Sequence, residues 1–119
     1  MPRPTLSRLG RRAAAVLAAV ALSATAASAA TAALFGRVPG GARNVHALWL
    51  GQADNYVVVR GDGGTDLDCY LYDDAGRLVS SDTDDTDVCV LPAPTVGAHR
   101  LAIRNLGSVS NYYAIWTEN

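Results

Sequence analysis

The sequence has no lysine, and its ten basic residues are all arginines. Four of these arginines precede Ala13, whereas the first acidic residue is Asp54. After Ala13, six arginines stand against eleven acids, which gives this part of the chain a formal charge of −5. An acidic surface without lysine binds nucleic acid poorly, because the phosphate backbone is held by cationic side chains. Nucleic acid is therefore excluded from the expected partners.

Catalytic motifs are also missing. The chain has no nucleophile elbow and no metal-ligand pair, and Gly63-Gly64 lacks the lysine and the following helix of a phosphate loop. His46, His99 and the Ser80-Ser81 pair are usable side chains, but no motif frames them. We expect a protein without enzymatic activity and without a required cofactor.

Charge is absent from residues 13–36, which are mostly Ala, Val and Leu. A basic start, an apolar run and the small residues Ala27-Ser28-Ala29 are typical of a secretory signal peptide. We expect residues 1–29 to be removed, with cleavage after Ala27 or Ala33 and an uncleaved anchor helix as alternatives. No cysteine lies nearby, which argues against a lipoprotein, and Arg11-Arg12 leaves twin-arginine export open beside the Sec route. The predicted location is extracellular or periplasmic, without membrane attachment after cleavage.

Cysteine is scarce, with only Cys69 and Cys89 present. Their spacing fits no C-x-x-C pattern, and neither histidine is close to them in sequence, which argues against a metal or redox pair. In an exported chain they most simply form a disulfide, with two buried thiols as the alternative. A domain of about 90 residues buries only about 60% of its unfolded surface, so a staple of roughly 3 kcal/mol is valuable.

The stretch from Asp66 to Tyr72 alternates strictly between apolar and polar residues. Leu67, Cys69 and Leu71 point one way, which is the period of a half-buried β-strand. Turn residues enclose it, with Gly63-Gly64 before and Asp74-Ala75-Gly76 after. This strand is the centre of the predicted domain.

The rest of the chain repeats this pattern of short strands and turns. We predict about seven strands, with Pro92 and Pro94 ending the fifth, and no helix outside the signal peptide. Residues 30–43 are a linker or a lead-in strand, and residues 44–119 form an all-β, antiparallel, jelly-roll-like sandwich. The predicted strands are 45–50, 55–60, 66–72, 77–81, 88–91, 98–104 and 112–117. The predicted core contains Leu67, Cys69, Leu71, Leu101, Ile103, Tyr113 and Ile115.

Three runs of this sequence resemble a known family. They are GQADNYVVV, GDGGTDLDCYLYDDAGRLVSSD and HRLAIRNLGSVSNYY, which lie between Gly51 and Tyr113, and the resemblance covers roughly residues 45–117. They are similar to the bacterial pre-peptidase C-terminal domain, a secreted β-sandwich module usually appended to proteases and distantly similar to the collagen-binding domains of collagenases. Cys69 replaces the usual leucine of the central strand, and His99 stands where an aromatic residue is common and is expected to be packed. The resemblance implies a binding or accessory module and makes calcium worth testing.

Aspartates cluster at two places. Carboxylate oxygens are the ligands that calcium prefers, and the turn at Gly63-Gly64 could gather them around one ion. Residues 82–87 fail the EF-hand pattern, because the sixth position is Asp87 where glycine is required. A solvated acidic loop is the alternative. The candidate calcium ligands are Asp62, Asp66 and Asp68, followed by Asp82, Asp84, Asp85 and Asp87.

Aromatic residues and arginines are predicted on the outward side of several strands. Such side chains stack on sugar rings or grip a polypeptide, although they also form cross-strand pairs that only stabilise a sheet. We therefore predict a non-catalytic module that binds an extracellular polysaccharide or protein, with calcium as a candidate aid. The alternative is a structural accessory to a separately encoded secreted enzyme such as a peptidase. The candidate ligand-binding residues are Tyr70, Tyr72, Arg100, Arg104, Tyr112 and Trp116.

Overall fold

Eight β-strands make up the domain in a computed structural model that describes residues 33–53 and 55–119. No helix long and apolar enough to cross a membrane occurs in these two ranges. The predicted signal peptide and its cleavage after Ala29 lie outside the described residues. The strands are β1 Leu34–Val38, β2 Arg43–Leu50, β3 Asn55–Arg60, β4 Leu67–Asp73, β5 Leu78–Asp82, β6 Val88–Ala93, β7 Gly97–Asn105 and β8 Asn111–Glu118.

The strands form two antiparallel sheets of four. Sheet I has the order β1-β8-β3-β6, and sheet II has the order β2-β7-β4-β5. Only β4 and β5 are neighbours both in sequence and in a sheet, so every other connection crosses between the sheets. This is the strand order of a jelly roll, and the predicted fold class is confirmed.

The core lies between the inner faces of the two sheets. Antiparallel strands with one apolar side bury that side against a second sheet and leave the other side to water. All seven predicted core residues are buried, and the rest of the core comes mainly from valines and leucines of the same two faces. These additional residues are Val38, Leu50, Val57, Val59, Cys89, Leu91 and Ala93.

A disulfide bond links the two sheets through the core. Cys69 lies on β4 of sheet II and Cys89 on β6 of sheet I, with 6.2 Å between their Cα atoms. Both residues are fully buried. The predicted pairing is confirmed, and because the bond closes a loop of 20 residues between different sheets, it restricts the unfolded chain by about 3 kcal/mol.

The structure adds one strand to the prediction and extends another. Residues 30–43, predicted as a linker or a lead-in strand, contain the strand β1, which pairs with β8 from Leu34 opposite Ile115 to Val38 opposite Asn111. The sandwich therefore has eight strands among the described residues. The fifth predicted strand does not end at Leu91, because the corresponding strand, β6, continues to Ala93. Proline is tolerated within β6 because this strand lies at the edge of sheet I, where an N–H is not needed on the outer side.

Candidate functional site

One end of the sandwich contains the loops that lead into β4 and β8, and hydrogen bonds of polar side chains stabilise it. We call it the closed end. Asp62 accepts hydrogen bonds from the backbone N–H groups of Gly64 at 2.8 Å and Tyr112 at 3.0 Å. Asp87 accepts from the N–H of Gly63 at 2.6 Å and from the amide of Asn111 at 3.1 Å. The bond from Tyr112 is the main reason that the pKa of Asp62 is lowered. These two carboxylates therefore act as caps for loop backbone.

The loop from Asp82 to Asp87 is also organised by its own hydrogen bonds. Asp82 accepts from the N–H of Val90 at 2.9 Å. Asp84 accepts from the Thr86 hydroxyl at 2.7 Å and from the Thr86 N–H at 3.0 Å, and these bonds lower its pKa. Aspartate side chains that accept hydrogen bonds from nearby backbone N–H groups replace the bonds that these groups would make between β-strands. They order a loop without any ligand.

Asp66 and Asp68 behave differently from the other predicted calcium ligands. Each has one buried carboxylate oxygen without a hydrogen-bond partner. The pKa of Asp66 is raised, first by loss of hydration and then by the negative charges of Asp68, Asp85, Asp84 and Asp87. Within residues 33–53 and 55–119, no three or more His, Cys, Asp or Glu side chains converge on a point that could hold a metal ion. The geometry offers two free oxygens where a full cage needs six to eight.

The six predicted ligand-binding residues do not form one surface. Tyr70, Tyr72, Arg100 and Arg104 point outward from β4 and β7 of sheet II, where Tyr72 is paired with Arg100. Tyr112 and Trp116 lie on β8 of sheet I, on the opposite side of the sandwich.

Trp116 has a packing role on the outer side of sheet I. It is paired with Val58 of β3, which is only 7% exposed although it points away from the core. The indole N–H donates to Glu118 at 2.7 Å. An indole that covers a neighbouring valine and has its own acceptor is typical of a cross-strand pair that stabilises a sheet.

A groove of about 520 Å³ opens at the other end of sheet II, between the β4–β5 turn and the β6–β7 loop. Trp49, near the end of β2, forms one side of it and is 76% exposed. A smaller hollow continues from this groove onto the outer face of sheet II, where Arg100 and Ala47 line it. The groove, here called the Trp49 groove, is lined by Trp49, Asp73, Asp74, Arg77, Val96 and His99, among others.

The first wall of the Trp49 groove is a turn fixed by Asp73. Its carboxylate accepts from the N–H groups of Ala75 at 3.0 Å and Arg77 at 2.9 Å, and it pairs with the Arg77 guanidinium at 3.1 Å. The backbone bond from Arg77 is the largest cause of the lowered pKa of Asp73. Gly76 has a φ of 82°, which a side chain would strain. The conformation of this wall is therefore determined by its own hydrogen bonds and does not depend on a bound ligand.

The second wall is fixed by His99, which is 3% exposed. Its Nδ1 donates to the carbonyl oxygen of Gly97 at 2.9 Å, so Nε2 is left to accept from the Thr95 hydroxyl at 3.3 Å. The expectation that His99 is a packed residue is confirmed. Between the two walls, Trp49, Asp74 and Val96 are exposed and make no side-chain hydrogen bond with other described residues.

Trp49 and Asp74 were not among the residues predicted from sequence, although a signal for Trp49 exists. In β2, Leu48 and Leu50 alternate with exposed residues, so Trp49 must point outward just before the turn at Gly51. An exposed tryptophan next to a turn is unusual enough to indicate a contact surface. Nothing in the sequence, however, shows that the turn at Asp74 lies beside it.

Comparison with known proteins gives a fold and no closer relationship. No protein-family model matches the sequence, and neither does any curated protein. Solved structures do match. The pre-peptidase C-terminal domain of a collagenase from Bacillus anthracis is 14% identical, with a TM-score of 0.56 over 74% of this chain and 89% of that one.

Two further structures are similar to the same extent. PliG of Aeromonas hydrophila, a periplasmic inhibitor of g-type lysozyme, is 14% identical with a TM-score of 0.52, over 74% of this chain and 86% of its own. PirA is 15% identical with a TM-score of 0.52, over 72% of this chain and 93% of its own. At these identities the likeness concerns the fold alone. The resemblance noted in the sequence is thus supported at that level: this chain is a small β module with the fold of a pre-peptidase C-terminal domain.

Proposed function

We propose that this protein is an exported, non-catalytic binding module and that the Trp49 groove, with the adjoining outer face of sheet II, holds an extracellular polysaccharide. The observation that carries the proposal is Trp49 itself, which is 76% exposed at a groove with fixed walls. An exposed indole next to the apolar side chain of Val96 in a groove is the kind of apolar surface that marks a ligand site. Because the walls are ordered by internal hydrogen bonds, little conformational entropy is lost on binding.

The chemistry of the groove suits a sugar. The flat indole of Trp49 and the apolar side chain of Val96 provide surface for the C–H faces of a pyranose ring. The Asp74 carboxylate has no partner among the described residues and accepts only, so it is suited to hydroxyl donors. A few polar groups beside an apolar surface are typical of ligand sites.

Export is part of the proposal and rests on three observations. The first 29 residues have the composition of a signal peptide. The disulfide between Cys69 and Cys89 is the kind of bond that forms in oxidising compartments. The likeness to PliG, which is described as periplasmic, is consistent with the same side of the membrane.

A second candidate function is that of an accessory that contacts a separately encoded secreted enzyme. The likeness to a domain of a collagenase and to an inhibitor of a lysozyme supports it, since the first is part of an enzyme and the second inhibits one. This alternative predicts an enzyme as ligand instead of a glycan. A binding experiment with the variant Trp49→Ala distinguishes the two functions.

The test is binding of the purified protein to a panel of insoluble polysaccharides, measured by pull-down, with matched aromatic variants. Trp49→Ala should weaken binding at least tenfold and leave the fold intact. Tyr112→Ala is the control, because Tyr112 is 60% exposed but lies on sheet I. Binding that depends on Tyr112 and not on Trp49 would move the site to the other side of the sandwich. A panel without any binding, together with co-purification of a secreted enzyme, would favour the accessory.

Calcium is a secondary part of the proposal, and Asp66 and Asp68 are the pair to hold it. Their two unpartnered oxygens are fewer than the six to eight ligands of a full calcium site, but they are still available, whereas Asp62, Asp82, Asp84 and Asp87 already accept backbone or side-chain donors. Loss of hydration, and after it repulsion by neighbouring carboxylates, raises the pKa of Asp66, and a cation that bound there would offset both. Millimolar calcium should then raise the Tm relative to a chelator, and magnesium at the same concentration should do less. Asp66→Asn with Asp68→Asn should abolish the difference, and a shift below one degree would remove calcium from the proposal.

A further inference from the structure

The outer face of sheet II carries a concentration of arginines that is unusual for a domain with net negative charge. Arg43 of β2 is paired directly with Arg104 of β7, and Arg100 lies on the same side of β7. All three are exposed. They are half of the six arginines that follow Ala13. Charges of one sign side by side repel each other, so their placement costs stability unless an anion joins them.

None of these three arginines forms a salt bridge with another described residue. Among residues 33–53 and 55–119, the one ion pair is between Arg77 and Asp73, in the turn of the Trp49 groove. Asp68 is paired with Arg104 in the register of β4 and β7, but its Oδ1 is buried and has no hydrogen bond. The three guanidinium groups thus keep their donors free, and a guanidinium matches the geometry of a carboxylate or sulfate with two parallel hydrogen bonds.

The surface is extended. Along β2, Arg43 and Trp49 are six residues apart, which corresponds to roughly 20 Å at the rise of a strand. Val45 and Ala47 of β2 and Ala102 of β7 lie between these two ends, and the two alanines keep the middle of the face low. Tyr70 and Tyr72 of β4 point to the same side. The face has the length for a polymer and room along its middle.

We infer that the ligand of this module is an anionic polysaccharide, which lies along the outer face of sheet II with one sugar at Trp49 and its carboxylate or sulfate groups at Arg100, Arg104 and Arg43. This inference rests on the proposed function and adds the charge of the ligand. A glycan fits better than an acidic polypeptide, because every sugar ring carries hydroxyl donors beside any charged group and can present them to the Asp74 carboxylate at the groove.

The experiment compares charged and uncharged forms of the same polymer. Isothermal titration of the full protein uses polygalacturonate against its fully methyl-esterified form, and dextran sulfate against dextran. The charged member of at least one pair should bind at least tenfold tighter than its uncharged form, and its affinity should fall as salt rises, because screening weakens exposed charge pairs. The two pairs also show whether carboxylate or sulfate is read.

Variants locate the effect. Arg43→Gln with Arg104→Gln should weaken binding of the charged polymer at least tenfold and reduce its salt dependence. Arg37→Gln with Arg60→Gln removes the same charge from sheet I and should change the affinity less than twofold. Equal binding of charged and uncharged polymers, lost in Trp49→Ala, would overturn the anionic ligand and keep the groove. Equal losses in both arginine pairs would mean non-specific attraction and would overturn the assigned face.

Discussion

At the closed end of the sandwich, Asp62 and Asp87 accept hydrogen bonds from loop N–H groups, whereas at the groove end Asp74 faces water without a partner among the described residues. Both ends carry aspartates, and the sequence distinguishes them poorly. The difference is whether neighbouring backbone N–H groups donate hydrogen bonds to the carboxylate. A carboxylate whose oxygens are filled by backbone donors has a structural role, and one that is free beside an exposed tryptophan is available to a ligand.

The comparison also separates stability from binding. Asn111 at the closed end is fully buried, and its side chain bonds to Thr65, Asp62 and Asp87. Trp49 at the groove end is mostly in water and touches the fold lightly. Substitutions at the closed end should therefore change the free energy of unfolding, and those at the groove end should change affinity.

The largest expected effect is that of Asn111→Ala. It removes an acceptor from the Asp62 N–H and a donor from Asp87 and Thr65, so buried polar groups lose their partners. We expect a loss of about 3 kcal/mol in the free energy of unfolding, measured by urea denaturation. Asn111→Asp should destabilise the fold at least as much, because it places a second carboxylate against Asp87.

Trp49→Ala is the matched change at the groove end. We expect it to alter the free energy of unfolding by less than about 0.5 kcal/mol, since surface substitutions rarely do more. If Trp49→Ala destabilised the protein as much as Asn111→Ala, the groove end would be a structural element and the comparison would fail.

A smaller change in stability is expected when the pH is lowered. It arises at the contact between His46 of sheet II and Tyr113 of sheet I. The His46 Nε2 and the Tyr113 hydroxyl are 2.6 Å apart, and Asn44 donates to the same hydroxyl at 2.8 Å. With Asn44 donating to the hydroxyl oxygen, the Tyr113 O–H proton is available to donate to His46 Nε2, and a bond in that direction needs a neutral ring. Burial lowers the pKa of His46, so the unfolded chain takes up the proton first.

The contribution of this site to the free energy of unfolding should be fully present above about pH 6.5 and should decrease as the pH falls below that value. The loss is a fraction of a kcal/mol, since His46 is only partly buried and solvent screens its charge. It is measured as the difference in Tm between pH 7 and pH 5 for the parent protein and His46→Gln. The variant should lose less stability, and an equal loss in both would assign the effect to other groups.

The smallest expected effect is a gain in the stability of the folded protein. The raised pKa of Asp66 means that the folded state disfavours its ionised form, so this residue lowers stability once the pH exceeds its unfolded value near 3.8. Asp66→Asn should raise the Tm on the order of 1 °C at pH 7 without calcium. The gain should vanish near pH 3, where both proteins are uncharged at this position. By contrast, Asp62→Asn at the same end should lower the Tm, because the pKa of Asp62 is shifted the other way.

The sequence by itself determined the strands, the core and the disulfide partners. Strict alternation in Leu67, Cys69 and Leu71 predicts their burial because a strand presents every second residue to the same side. β3 coincides with its predicted range, since Val57, Val58 and Val59 are bounded by turn residues. For residues 30–43 the sequence predicts either a linker or a lead-in strand, because Gly36 and the nearby glycines weaken the strand pattern, and only the pairing with β8 shows that β1 forms there.

The candidate site depended on tertiary structure. Alternation places Tyr72 and Trp116 on an outer side, but it cannot tell which sheet each strand joins, and the jelly-roll order separates them. The hydrogen bonds that distinguish Asp62 from Asp74 span up to 50 positions of sequence. Trp49 meets the turn at Asp74 only because β7 lies between β2 and β4 in sheet II. Local periodicity reports burial within a strand, whereas a binding surface depends on which strands become neighbours, and that is decided by packing of the whole chain.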